Sequence, residues 1–168
     1  MKVEDIITHN QPILFVAIGP SGSGKSTTYE QLKRSVPELY HFSWDALRHL
    51  WYDLDDYANA FKLACEDKNF KNKADAVCFD LLHKRKNIYI DNTNLSANKR
   101  RPYLQAAKKL GYKTVAITFD VDLETLIARQ TLRTDKYVPD SAVKQQYNSI
   151  QPPTLDEFDD IVDNNEIN

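Results

Sequence analysis

The sequence predicts an α/β protein built on a doubly wound, parallel, five-stranded sheet with helices on both faces and a small helical lid. Three observations carry this. Residues 13–18, Ile-Leu-Phe-Val-Ala-Ile, form an apolar run without polar alternation, the pattern of a strand buried on both faces. A glycine-rich loop, Gly19-Pro20-Ser21-Gly22-Ser23-Gly24-Lys25-Ser26, leaves the end of that strand and opens into a helical stretch. Short apolar segments then alternate with helical patterns along the rest of the chain, as a parallel sheet with crossover helices requires.

Taken in order, residues 1–11 mix charged and polar side chains and read as a short extension without the apolar core of a signal peptide. The helix after the loop runs from Ser26 to Arg34, and Pro37 marks its exit. Tyr40-His41-Phe42-Ser43 reads as the second strand, ending at Trp44-Asp45-Ala46-Leu47-Arg48. From Asp55 to about Lys84 the pattern is helical with a polar break around 69–72, and Tyr57, Ala60, Phe61, Ala64, Ala74, Val77, Cys78, Leu81 and Leu82 form its core stripes.

Ile88-Tyr89-Ile90 is the third strand and ends in Asp91-Asn92-Thr93-Asn94-Leu95. A basic amphipathic helix from Ser96 through Leu110 follows, closed by Gly111 as a left-handed cap. Lys113 to Phe119 is the fourth strand and delivers Asp120. A helix over 123–132 carries Arg129 and Arg133 on one face, and Pro139-Asp140-Ser141 opens the last one, which runs to about Ile150. Phe158 to Val162 is an edge strand within an acidic tail, 152–168. The expected organisation is one domain of 168 residues with its core over about 13–162.

Composition narrows the function classes. With 42% hydrophobic residues and a net charge of −2, the chain is not a protein whose whole surface is a nucleic-acid-binding field, although a local basic groove is compatible. Cys65 and Cys78 have no metal-ligand or redox spacing and read as small buried hydrophobes. No run is long enough to cross a bilayer, so a reduced, soluble, cytoplasmic protein is expected. His9, His41, His49 and His83 are scattered without ligand spacing and receive no role.

The loop fits G-x-x-x-x-G-K-[ST] at every defined position, between a strand and a helix. Its small residues let backbone N–H groups turn around a phosphate, and the helix start adds its positive end at the same point. Lys25 would reach the β- and γ-phosphates of ATP, the Ser26 hydroxyl would ligate Mg²⁺, and Gly19 through Thr27 make up the expected nucleotide site.

Other residues could complete a transfer site. Asp45 and Arg48 stand three apart past the second strand, which suits a proton acceptor beside a clamp for an acceptor phosphate, or equally an i,i+3 surface ion pair. Asp91 ends a buried strand beside the expected metal, with orientation of the acceptor, or capping of the next helix, as the other readings. Arg129 and Arg133 suit a lid that brings positive charge to a transferring phosphoryl, or are solvated helix residues. Lys99, Arg100 and Arg101, with Lys108 and Lys109, form either a solvated face or a track for polynucleotide phosphates, with Trp44, Trp51 and Tyr52 as stacking rings.

Together, the loop, Asp45-Ala46-Leu47-Arg48, Asp91-Asn92-Thr93-Asn94-Leu95 followed by Arg100-Arg101, Phe119-Asp120-Val121, and Arg129 to Arg133 before Val138-Pro139 stand in one order. That pattern resembles the 5′-kinase domain of bacteriophage polynucleotide kinases of the T4 type, from about Ile13 to Ile150. The resemblance implies that Lys25 and Ser26 bind ATP phosphates and Mg²⁺, and that Asp45 is the general base for a 5′-hydroxyl. It further implies that Arg48 holds the acceptor's 3′-phosphate, that Asp91 supports the acceptor site, with Asn94, Trp44 and Arg101 beside it, and that Arg133 contacts donor phosphates from the lid. Members of the resembled family act on DNA or RNA 5′-OH ends and associate as homo-oligomers. Its two-domain members carry a D-x-D-G-T phosphatase motif that Asp120-Val121-Asp122-Leu123-Glu124 does not match, so no 3′-phosphatase activity is expected.

Two other readings stand beside it. The same loop and sheet serve kinases of small molecules such as a sugar acid, nucleoside or nucleotide, whose site should be a closed pocket. They also serve ATP-binding switches that have no acceptor.

Overall fold

The computed structural model describes Ile6, residues 11–52 and residues 56–167. Most of the expected N-terminal extension, His9 and the helix start at Asp55 lie outside the described residues.

The elements are β1 (Ile13–Ile18), α1 (Lys25–Leu32), β2 (Leu39–Phe42), α2 (Trp44–Tyr52), α3 (Tyr57–Glu66), α4 (Phe70–His83), β3 (Asn87–Ile90), α5 (Ala97–Lys109), β4 (Lys113–Thr118), α6 (Leu123–Thr131), α7 (Asp140–Asn148) and β5 (Asp160–Asp163). The five strands form one sheet in the order β2-β3-β1-β4-β5, and every neighbouring pair is parallel. This is the doubly wound architecture that the strand and helix alternation predicts.

The central strand explains why the sheet can be covered on both sides. All six residues of β1 are buried, and they alternate between two cores. Leu14, Val16 and Ile18 pack with Cys78 and Leu82 of α4 and with Leu104 and Ala107 of α5. Ile13, Phe15 and Ala17 pack with Tyr29 and Leu32 of α1. A smaller cluster of Leu126, Val138 and Val143 joins α6 to α7 and makes a two-helix unit beside the sheet, the place of the predicted lid.

Several local expectations are revised. The long helical stretch is two helices, because Asp56 caps α3 and the chain turns extended at Asp67, where the carboxylate accepts from Asn69 N. The break therefore falls before Phe70, which is buried in α4. Phe61 and Val77 lie on the exposed sides of their helices. Cys78 is buried as expected, but Cys65 is exposed. Gly111 has the predicted left-handed backbone, with φ 73°.

Three loops at the carboxyl ends of β1, β2 and β3 converge, which is where open α/β sheets bind ligands. They are stitched to one another. Gly19 N donates to Thr93 O at 3.1 Å and Asp91 N donates to Phe42 O at 2.8 Å. Trp44 N donates to Asn92 Oδ1 at 2.9 Å. Asn94 holds a left-handed conformation, φ 48°, and its buried amide donates to Ala17 O at 2.7 Å.

Candidate active site

A cleft of about 970 Å³ opens above these strand ends, bounded by the glycine-rich loop, α2, α3 and the segment between α6 and α7. Of the residues expected in the site, Gly19, Pro20, Asn94 and Arg101 do not line it, nor do Arg100, Lys108, Lys109, Trp51 and Tyr52 of the candidate polynucleotide track.

The loop is bent by its glycines. Gly22 and Gly24 have φ 88° and 103°, values that a side chain disfavours. Gly24 starts α1 without a side-chain cap, which leaves the helix N–H groups directed at the cleft. Lys25 folds back beneath the loop, donating to Pro20 O at 2.7 Å and Gly19 O at 3.1 Å. Loss of hydration there pushes its ammonium down to about 8, against the opposing charge of Asp91.

Helices α6 and α7 brace the loop from outside. Arg129 donates to Gly22 O at 2.9 Å, Gln130 donates to Ser21 O at 3.0 Å, and Gln146 accepts from Ser21 N at 2.8 Å. The two glutamines gave no sequence signal, because a lone buried Gln on an amphipathic helix carries no spacing rule. Arg133 does not share a helix face with Arg129, since α6 ends at Thr131. It lies in the following segment and pairs with Asp135 at 2.7 Å.

On the opposite wall, Asp45 and Arg48 occupy successive turns of α2, and Arg48 Nη1 lies 2.5 Å from Asp45 Oδ1. The pair is not a solvated surface bridge, because the Arg48 side chain is 11% exposed and its guanidinium lies against Phe61, Phe70 and Trp44, with the Phe61 ring centroid 4.9 Å away. Tyr57 donates to the same Asp45 oxygen at 3.2 Å, and Lys136 donates to the other. Burial alone would raise the Asp45 carboxyl, but Lys136, Arg48 and Tyr57 together hold it below the usual carboxylate range. Neither Tyr57 nor Lys136 was predicted for the site; Tyr57 reads as a core position and Lys136 as an ordinary loop lysine.

Asp91 accepts from Ser26 Oγ at 2.7 Å and bonds His41 Nε2 at 2.9 Å. These bonds and the Lys25 charge outweigh burial and lower its pKa. Asp91 does not cap α5, a role that Ser96 takes with a bond from Lys99 N at 3.4 Å. His41 was given no role from sequence, yet it stands between Asp91 and Tyr29, stacked on that ring at 4.3 Å. Ser26 and Asp91 are adjacent hard-oxygen donors open to the cleft and fit Mg²⁺, which binds through few protein ligands plus water and substrate phosphates. Among the described residues no cluster of three or more His, Cys, Asp or Glu forms a metal cage.

The basic run of α5 divides. Lys99 lines the cleft. Arg100 is fully buried and pairs with Glu157 at 2.7 Å, while also donating to the carbonyls of Asn94 and Gln151 at 3.0 Å. Arg101 faces a separate shallow depression with Lys108 and Asp156. Asn94 is spent on backbone carbonyls, and Trp51 and Tyr52 pack on Phe70 instead of the cleft. Trp44 does line the cleft, edge-on to Phe70 at 5.6 Å.

Comparison with known proteins agrees with the fold. Residues 14–153 match the family model described as an AAA domain. A chain of the Pnkp1/Rnl/Hen1 RNA repair complex superposes with a TM-score of 0.67 at 25% identity, over 86% of this chain and 45% of that one, so this chain spans less than half of its length. A gluconokinase from Sinorhizobium meliloti 1021 superposes with a TM-score of 0.61 at 21% identity, over 90% and 82%. A fungal RNA kinase does so at 0.60 and 19%, over 93% and 76%. The architecture is thus one shared with P-loop kinases. Among the described residues, no helix is long and apolar enough to cross a membrane.

Proposed function

Because this chain belongs to the AAA domain family, we propose that it is an ATP-dependent phosphotransferase that moves the γ-phosphoryl group to the 5′-hydroxyl of DNA or RNA, as the resemblance to T4-type 5′-kinases implies. The observation that supports this reading is the placement of Asp45 in the same cleft as Lys25 and Ser26, one carboxylate across from one phosphate-binding loop.

In this reading the loop N–H groups and Lys25 hold the β- and γ-phosphates. Ser26 and Asp91 hold Mg²⁺, which when bound offsets charge on the transferring phosphoryl. Asp45 accepts the proton of the attacking hydroxyl, and its lowered pKa keeps it ionised at neutral pH. Arg48 carries the remaining donors for an acceptor phosphate, and Arg129 and Arg133 supply charge from the lid side. The RNA repair chain and the fungal RNA kinase among the similar structures favour a polynucleotide acceptor.

One observation favours a second reading, a kinase of a small acceptor such as a sugar acid, nucleoside or nucleotide. Of the basic run on α5 only Lys99 reaches the cleft, and the gluconokinase likeness covers 82% of that enzyme.

Transfer of label from γ-labelled ATP to a 5′-hydroxyl oligonucleotide separates them. Label on DNA or RNA, lost in Lys25→Ala and Asp45→Asn, supports the polynucleotide reading. ATP binding without transfer to any oligonucleotide, followed by transfer to a small hydroxyl compound, would replace it with the second.

A further inference from the structure

Both oxygens of Asp45 already carry protein donors, in a side chain that is 31% exposed to the cleft. Oδ1 accepts from Arg48 and Tyr57, and Oδ2 accepts from Lys136. Of these three donors two belong to α2 and α3, beside Asp45 on the same wall. Lys136 alone comes from the segment between α6 and α7, the segment that also carries Arg133. Its side chain is 15% exposed, and its ammonium also lies over the Tyr57 ring, 5.2 Å from the centroid.

Three other cations around the phosphate loop are likewise held by protein oxygens: Lys25 by two carbonyls of its own loop, Arg129 by Gly22 O and Arg133 by Asp135. A triphosphate seated in the loop brings about four negative charges to the region that Lys25, Arg133 and Lys136 share. An ammonium on a flexible four-carbon stem can follow that charge, whereas a guanidinium walled in by three aromatic rings cannot.

We infer that Lys136 is a positioning residue that covers Asp45 while the donor site is empty and crosses to the donor's phosphates when ATP binds, so that Asp45 meets the acceptor hydroxyl only after the donor is in place. This rests on Asp45 being the proton acceptor of the proposed transfer. It adds that donor binding is coupled to Asp45 through one side chain, and that the donor binds before the acceptor.

A double-mutant cycle on donor binding tests this without any acceptor. Dissociation constants of a non-hydrolysable ATP analogue with Mg²⁺ are measured for the full chain, Asp45→Asn, Lys136→Met and the double variant. Asp45→Asn should release Lys136 and tighten analogue binding by about fivefold or more. Lys136→Met should weaken it, and Asp45→Asn should then bring no gain in the Lys136→Met background. Lys136→Arg should keep the response to Asp45→Asn. Equal tightening in both backgrounds would mean that Asp45 acts on the analogue only as a nearby negative charge, and the inference fails. No tightening in either background overturns it too. These outcomes are independent of the proposed function, whose failure is absence of label transfer by a protein that still binds the analogue.

Discussion

Gln146 of α7 accepts a hydrogen bond from the backbone N–H of Ser21, 125 residues away in the chain, at 2.8 Å. With Gln130 donating to the carbonyl of the same residue at 3.0 Å, both polar groups of one loop peptide position are held by the two helices that lie beside the sheet. The phosphate loop and the lid pair are therefore mechanically one unit. Gln146→Ala should leave the Ser21 N–H without its partner and weaken ATP binding about three- to tenfold, with a stability cost of about 1 kcal/mol. Titration calorimetry with ATP reads this, and tighter binding instead would show that Gln146 blocks the loop.

Gly22 has φ 88°, and an added Cβ would lie 2.5 Å from the Gln130 amide nitrogen. That amide is buried and already donates to Ser21 O and Leu126 O, so it has no open space to retreat into. Gly22→Ala should cost roughly 1–3 kcal/mol through backbone strain and reduce nucleotide affinity more than the cost in stability alone would. Thermal unfolding with and without ATP separates the two losses.

Three consecutive residues of α5 should behave in three ways. Arg100→Ala removes a buried guanidinium and strands Glu157 and two carbonyls, at a cost of about 3 kcal/mol or more. Arg101→Ala should fall within ~0.5 kcal/mol of the wild type and leave label transfer unchanged. Lys99→Ala should leave stability unchanged and raise the KM for an oligonucleotide acceptor. Denaturant unfolding together with steady-state transfer assays distinguishes the three, and an Arg101→Ala defect in transfer would return that residue to the acceptor path.

The lowered pKa of Asp45 sets a sign for acid stability. Burial opposes ionisation, yet Lys136, Arg48 and Tyr57 hold the carboxyl below its usual range, so the unfolded chain binds this proton more readily than the folded one. The stabilisation is complete above the unfolded pKa of about 3.9 and disappears as pH falls through the lower folded value. The stability difference between wild type and Asp45→Asn should be flat above about pH 5 and shift against the wild type below about pH 4. A difference that stays level through pH 3 would show that the three donors do not act on the charged form.

The parts of this protein that the sequence discloses are those whose signal is local. The apolar run of β1 and the eight-residue loop announce themselves within fourteen consecutive positions, and the strand ends that deliver Asp45 and Asp91 follow from apolar runs that stop at polar residues. The α3 to α4 break is legible as a polar stretch around 69–72, but its place a few residues earlier depends on the Asp67 carboxylate turning onto Asn69 N, which leaves Phe70 as the first residue of the next helix. Arg100 and Arg101 illustrate the limit: as neighbours in a basic run they look alike, and only Glu157, 57 positions later, decides that one is core and the other surface. Tyr57, Gln130, Lys136, His41 and Gln146 take their roles from partners distant in the chain, and no spacing rule reports such contacts.

The gathering of cationic groups in the cleft has a kinetic consequence. Partners do not cancel these charges, because Lys25 and Arg129 bond uncharged carbonyls, and six cationic side chains, Lys25, Arg48, Lys99, Arg129, Arg133 and Lys136, line the cleft against three carboxylates, Asp45, Asp91 and Asp135. An approaching nucleotide therefore meets a locally positive mouth on a molecule of net charge −2. Added salt should slow its association by screening that local field.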